Sequence, residues 1–177
     1  MRDRGHASAS LLIVDHNQSL AQLMRSQLKY LGFRQVEIAK DTDQALAWLT
    51  QNQFDAVLCD ASAGPRPGEA FARAARTAPG VIDPYLSLLV LSHQPTWRMV
   101  NACRDAGASG FLARPLSGMQ LRDKIVSTLA KRRRFVRCQT FFGPDRRRTL
   151  RPPYDGPERR EGRGMETQVI PSRRRSA

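Results

Sequence analysis

The stretch FDAVLCD, Phe54–Asp60, decides the fold of this chain. Its apolar centre is typical of a buried strand, which ends in a carboxylate before the Gly- and Pro-containing loop 61–68. Two more apolar runs end in the same way, LLIV before Asp15 and His16, and LLVL before Ser92. Because parallel strands end at one edge of a sheet, where open α/β sheets bind their ligands, these polar residues predict one site.

Helical segments alternate with these strands along the chain. Apolar residues recur at helical spacing over about 18–31, and similar segments follow each later strand. Residues 10–130 therefore contain five βα units, which predict an α/β fold with a parallel sheet and helices on both faces. The doubly wound, flavodoxin-like strand order 2-1-3-4-5 fits this length best.

The character of the chain changes after residue 130. Residues 131–177 hold 15 Arg or Lys and 5 Asp or Glu, so most of the net charge of +13 lies there. Apolar periodicity disappears, and a segment with so little apolar surface cannot offset its ordering entropy. We predict one folded domain over 10–130, a disordered N-terminus over 1–9, and a basic, largely disordered C-terminal tail over 131–177.

The three cysteines, Cys59, Cys103 and Cys138, have no CxxC spacing. Their odd number argues against a disulfide framework and is typical of a reducing compartment. No apolar run approaches the ~20 residues that a membrane-spanning helix needs. We therefore expect a cytoplasmic protein without a membrane span.

Residues 10–130 resemble the receiver domain of two-component response regulators. The resemblance rests on LLIVDH, DAVLCD, LLVLS and DAGASGFLARP, in this order and at the expected spacing. The tail, with PDRRR and YDGPERR, further resembles the extension of short stand-alone bacterial receivers. The resemblance implies a signalling protein rather than an enzyme, which takes a phosphoryl group from a histidine kinase or phosphotransfer protein.

The resemblance also implies a role for individual residues. Asp60 would be the phosphoacceptor, and Ser92 and Phe111 would form the switch that responds to phosphorylation. Asp15, Asp60 and the backbone carbonyl of Ser62 would hold Mg²⁺, whose charge neutralises the crowded oxygens during phosphoryl transfer.

Two residues of the predicted phosphorylation pocket, which comprises Asp15, His16, Ser92 and Arg114 around Asp60, depart from the family pattern. His16 stands where the family has a second acid, and Mg²⁺ prefers hard oxygen ligands, so we expect Mg²⁺ binding to be weak or absent. Arg114 stands where the family has lysine. A guanidinium is planar, permanently charged and able to fork across a carboxylate, so in the empty site it can pair with Asp60 or Asp15 and stay there.

Three functions remain open from the sequence. The first is a stand-alone receiver that is phosphorylated at Asp60 and acts through protein contact, including a homodimer through its fourth helix, fifth strand and fifth helix. The second is a pseudo-receiver, a binding module that works without phosphorylation. The third is a nucleic-acid-associated protein whose basic tail makes non-specific contacts with an anionic partner. The sequence contains no helix-turn-helix or zinc-finger pattern for specific readout.

Overall fold

The computed structural model describes residues 6–130, 134–138 and 141–145. Its main sheet has five parallel strands in the order β2-β1-β3-β4-β5, which confirms the predicted doubly wound topology. The strands are β1 (Ser10–Val14), β2 (Gln35–Ala39), β3 (Ala56–Asp60), β4 (Ser87–Ser92) and β5 (Gly110–Ala113).

Five helices alternate with these strands: α1 (Gln18–Tyr30), α2 (Thr42–Gln51), α3 (Gly68–Thr77), α4 (Trp97–Asp105) and α5 (Gly118–Ala130). Four of them begin after a side chain that accepts a hydrogen bond from a backbone N–H of the first turn: Asn17, Asp41, Thr96 and Ser117. Such caps satisfy N–H groups that have no partner within the helix. Within the described part of the chain, no helix is both long and apolar enough to cross a bilayer.

The two faces of the sheet carry separate apolar cores. Side chains alternate along each strand, so Leu12 and Val14 pack with α2, α3 and α4, whereas Leu11 and Ile13 pack with α1 and α5. Every residue of β3 and β4 is buried, as expected for central strands that are covered on both faces. Burial of this kind fixes the ends of β3 and β4, and with them the predicted site.

The start of the chain differs from the prediction of a disordered segment over 1–9. Residues 6–9 pack against the domain, and the ring of His6 lies 5.0 Å from that of Phe33. The Arg34 N–H also donates to the carbonyl oxygen of Ala7 at 3.4 Å. This aromatic contact is the physical reason that order begins before β1, while residues 1–5 lie outside the described residues.

The segment after α5 differs from the prediction of a largely disordered tail over 131–177. It contains an antiparallel hairpin of β6 (Phe135–Cys138) and β7 (Phe141–Pro144). Phe135 and Phe142 are buried, and their ring centroids lie 5.1 and 5.4 Å from that of Tyr85. Aromatic packing against the domain therefore buries part of the hairpin, which the basic composition of the segment does not suggest. The prediction for 146–177 lies outside the described residues.

Candidate functional site

The predicted polar residues meet at the edge where the parallel strands end. Asp15 directly follows β1, Asp60 ends β3, Ser92 ends β4 and Arg114 directly follows β5. The strand register pairs Asp60 with Leu91 and Ser92 with Ala113, so β4 and β5 end at the same level and β3 ends one residue earlier. Sheet topology alone thus brings together residues that lie far apart in the sequence.

Asp15 is buried, and both of its carboxylate oxygens accept hydrogen bonds. Oδ1 accepts from the backbone N–H of Asn17 at 2.9 Å, where the chain turns into α1. Oδ2 accepts from both Nη1 and Nη2 of Arg114, each at 3.1 Å. The carboxylate therefore holds two neighbouring donors of one guanidinium, a geometry that lysine cannot provide.

Asp60 is held in a similar way from two sides. Its Oδ1 accepts from the backbone N–H of Ser62 at 2.9 Å and from the Ser62 hydroxyl at 2.6 Å. Its Oδ2 accepts from Nη1 of Arg114 at 2.9 Å. The sequence predicted a role for the Ser62 carbonyl, whereas the structure uses the N–H and hydroxyl of the same residue to orient Asp60.

Arg114 links the two acids. Its side chain is only 7% exposed, and those of Asp15 and Asp60 are 2% and 5% exposed. Its backbone N–H donates to the carbonyl oxygen of Ser92 at 2.7 Å, which fixes the start of the side chain beside β4. The pocket therefore contains one buried positive charge between two buried carboxylates.

His16 stays outside this network. Its side chain is 59% exposed, and its Nδ1 lies 4.0 Å from Asp15 Oδ1, beyond hydrogen-bonding distance. Among the residues that the structure describes, no group of three or more His, Cys, Asp and Glu side chains is placed to hold a metal ion. The Asp15 and Asp60 oxygens that would bind Mg²⁺ instead accept from N–H groups, so the present arrangement does not fit that ion.

The two predicted switch residues occupy different places. The Ser92 hydroxyl accepts from the backbone N–H of Gln94 at 3.2 Å, at the same edge as Asp60. Phe111 lies within β5, paired with Val90, and is partly buried against the core beneath α4. Ser92 thus belongs to the pocket, whereas Phe111 lies beside it in the sheet.

Cys59 precedes Asp60 on β3 and faces the core. It is fully buried, and burial, followed by the nearby charge of Asp60, raises the pKa of its thiol well above the usual value. A thiol that stays protonated is a poor nucleophile and a poor metal ligand. Cys59 therefore contributes packing behind the site and no chemistry to it.

The family model for the response regulator receiver domain matches residues 11–126. The chain belongs to the response regulator receiver family. Receiver domains are modules of two-component signalling, and the predicted resemblance over residues 10–130 is confirmed by this match.

Two curated relatives agree with this assignment. The virulence sensor protein BvgS of Bordetella pertussis is 31% identical over 127 residues, which are 70% of this chain and 10% of that protein. A probable chemotaxis protein CheY of Rhizobium etli is 28% identical over 107 residues, which are 60% of this chain and 81% of that protein. This chain thus matches one segment of a long sensor and most of a short CheY.

Solved structures show the same fold. A response regulator from Chloroflexus aurantiacus has a TM-score of 0.64 and 27% identity, and the match covers 70% of this chain and 99% of that one. The receiver domain of a sensor histidine kinase from Pseudomonas aeruginosa has a TM-score of 0.63 and 21% identity, with 70% and 99% covered. That domain carries a magnesium ion in its active-site cleft.

The sequence did not indicate every residue that shapes the pocket. Asn17 caps α1 with its side chain, and its backbone N–H also orients Asp15. The only signal for this second role is its position two residues after the acid. The Ser62 hydroxyl likewise lies two residues after Asp60, the spacing at which a side chain can turn back to the carboxylate.

Proposed function

We propose that this receiver is a phosphorylation-independent binding module in which Arg114 holds the acidic pocket in one fixed state. One observation carries the proposal: the Arg114 guanidinium donates to Asp15 Oδ2 at 3.1 Å and to Asp60 Oδ2 at 2.9 Å. A phosphodonor that approaches Asp60 Oδ2 must displace this group. The pocket then stabilises the fold of the domain and does not take part in phosphoryl transfer.

The energetics of buried charges support this proposal. Moving Arg114 away would leave two carboxylates that are nearly inaccessible to solvent without their shared cation. Separating one partner from a buried ion pair typically costs about 3–5 kcal/mol.

The donor set supports the same conclusion for the metal. Transfer of a phosphoryl group depends on a cation that neutralises the charge on its oxygens. His16 replaces an acid that would supply a hard oxygen ligand, and imidazole suits transition metals better than Mg²⁺. Arg114 supplies a positive charge at the same place without binding a metal.

The output of such a module is contact with another protein. Trp97 at the start of α4 is 82% exposed and Met119 in α5 is 52% exposed. Tryptophan often anchors protein interfaces, and methionine is also enriched in them. We propose that the surface of α4, β5 and α5 receives the partner. The partner is a cytoplasmic histidine kinase or phosphotransfer protein that docks without transferring phosphate, or a second copy of this chain.

A second candidate function keeps Asp60 as a phosphoacceptor. It is favoured by the placement of Asp60 and Ser92 at one edge with a cation against the Asp60 carboxylate. In this case an Asp60 oxygen attacks phosphorus, the bond from phosphorus to the donor breaks, and an acyl phosphate forms. Ser92 and Phe111 would then rearrange, and the surface of α4 would change.

Phosphoryl labelling separates the two candidates. The full chain is incubated with a small phosphodonor and Mg²⁺ or Mn²⁺, and its intact mass is measured. We expect no adduct on the natural sequence, and an adduct on the His16→Asp, Arg114→Lys double variant that Asp60→Ala abolishes. An adduct on the natural sequence that Asp60→Ala removes would overturn the proposal in favour of the phosphoacceptor.

A further inference from the structure

A groove of about 540 Å³ lies at the edge of the domain opposite the acidic pocket. It is bounded by the end of α3, the segment 78–84 before β4, the end of α4 and the β6–β7 hairpin. Its volume is within the range of small-molecule sites in proteins. The hairpin forms one of its walls, so this groove depends on a segment beyond the end of α5.

The groove is strongly basic. Three arginines line it, Arg73 and Arg76 from α3 and Arg137 from β6, against a single acid, Asp105. The carboxylate of Asp105 accepts from Nε of Arg104 at 3.1 Å, so a further basic residue offsets its charge. Several guanidinium groups around a concave surface create a positive potential that attracts anions.

The three arginines differ in how many of their guanidinium N–H groups already form hydrogen bonds within the domain. Arg76 is buried and donates to the carbonyl oxygens of Pro84, Leu86 and Gly107, so it forms the floor of the groove. Arg73 and Arg137 are exposed, and neither forms an ion pair with a carboxylate among the described residues. Within the described part of the chain, Arg73 and Arg137 therefore keep N–H groups that a ligand can use.

The remaining lining is apolar and partly aromatic. Val81, Phe141 and Phe142 line the groove, and the guanidinium of Arg137 lies 4.3 Å from the centroid of the Phe142 ring. A guanidinium stacked on a ring is held in one orientation while its edge still presents donors. Flat apolar surfaces beside such donors suit a ligand that has both a planar body and an anionic group.

We propose that this groove binds a phosphate-bearing small molecule with a planar body, at a site separate from Asp60. Arg73 and Arg137 fork across the phosphate, since a guanidinium matches two phosphate oxygens. The partly exposed Phe141 forms the wall that contacts the planar part of the ligand, because the Phe142 ring is itself buried beneath Arg137. Because the hairpin contributes Arg137 and this wall, bound ligand joins the hairpin to the ends of α3 and α4.

The test measures binding of adenosine monophosphate and of pyrophosphate to the full chain by isothermal titration calorimetry. We expect Arg73→Gln and Arg137→Gln each to weaken binding of adenosine monophosphate about tenfold or more, the usual effect of losing a charge-assisted hydrogen bond. Arg98→Gln is the matched control and should leave the affinity unchanged, because Arg98 is exposed at the far end of α4. Thermal unfolding of each variant checks that the domain remains folded.

The variants keep the basic residues beyond 145, so binding by those residues would survive both substitutions. Unchanged affinity in Arg73→Gln and Arg137→Gln would therefore overturn the proposal. Binding of duplex DNA without measurable binding of either small molecule would also overturn it. Equal loss in Arg98→Gln would show a response to overall charge and would count against the groove as well.

Discussion

Two buried arginines lie at opposite edges of the sheet, and they have different partners. Arg114, where the strands end, donates to the carboxylates of Asp15 and Asp60. Arg76, near the starts of β4 and β5, donates to three carbonyl oxygens and to the Ser109 hydroxyl. Arg114 pairs with two acids of the predicted phosphorylation pocket. Arg76 instead binds backbone carbonyl oxygens from separate segments that the fold brings together.

The two environments also treat the charge differently. Burial lowers the pKa of Arg76 to about 9, and the neighbouring Asp83 offsets only part of this effect. Arg76 therefore remains charged at neutral pH and is stabilised by the dipoles of the carbonyl groups that accept from it. The centroid of the Phe135 ring also lies 5.1 Å from its Cζ atom. A buried arginine by itself therefore does not indicate a functional site, whereas an arginine that bridges two acids does.

The largest effect is expected at Arg114. Replacing it by methionine leaves Asp15 and Asp60 buried without their cation, and we expect a loss of about 3–5 kcal/mol of unfolding free energy. Urea denaturation at neutral pH measures this loss. Arg114→Lys keeps the positive charge but loses the two neighbouring N–H donors of the guanidinium, so it should reduce the unfolding free energy less than Arg114→Met does. Equal stability of Arg114→Met and the natural protein would contradict the role given to the pair.

Arg76→Met tests the other half of the comparison. It leaves the carbonyl oxygens of Pro84, Leu86 and Gly107 without this donor, and we expect a loss of about 2–4 kcal/mol. Arg73→Met is the matched control on the same helix, where an exposed side chain should change stability by less than about 0.5 kcal/mol. Similar urea midpoints for these two variants would remove the structural role of Arg76.

Gly143→Ala asks whether the hairpin is an integral part of the domain. A Cβ at this position would lie 2.7 Å from the Cα of Gly107, so the hairpin must shift away. We expect a loss of about 1–3 kcal/mol and faster amide exchange in the hairpin. Gly118→Ala, whose Cβ would meet side-chain atoms of Leu31 at 3.3 Å and Gln27 at 4.0 Å and no backbone atom, should be nearly neutral. Unchanged exchange in Gly143→Ala would mean that the hairpin does not dock.

The smallest expected effect distinguishes the two acids. Asp15 accepts two N–H bonds from Arg114, whereas Asp60 accepts one. Asp60 accepts its third bond from the neutral Ser62 hydroxyl, so the two acids differ in one bond to the charged guanidinium. We therefore expect Asp15→Asn to reduce stability by about 1 kcal/mol more than Asp60→Asn. Paired denaturation curves measure the difference. The reverse order would show that Asp60 and Ser62 anchor the pocket more strongly than Asp15.

Most of the fold was predictable from the sequence because its signals are local and repeated. The apolar runs, the capping residues Asn17 and Asp41 and the alternation of strands and helices all point to one parallel sheet. The sheet topology then brings Asp15, Asp60 and Arg114 together without further information. The pairing of Arg114 with the acids was also expected, because a guanidinium beside carboxylates forks across them.

The opposite end of the sheet, where Arg76 and the β6–β7 hairpin lie, was not predictable from the sequence, for physical reasons. Arg76 belongs to an Ala- and Arg-rich helix, and nothing local indicates that it alone is buried among carbonyl oxygens. The hairpin has no apolar periodicity, and its order comes from contacts of Phe135 and Phe142 with Tyr85, which is about fifty residues earlier in the chain. Such long-range contacts leave no pattern in a single sequence.

We propose that Arg114, together with the loss of the second acid at His16, keeps Mg²⁺ from the Asp15 and Asp60 carboxylates. Calorimetric titration of the full chain with Mg²⁺ tests it most directly, with the His16→Asp, Arg114→Met double variant beside the natural sequence. We expect no saturable heat for the natural sequence, and saturable binding for the double variant that Asp60→Ala abolishes. Saturable binding of Mg²⁺ to the natural sequence that Asp60→Ala removes would contradict it.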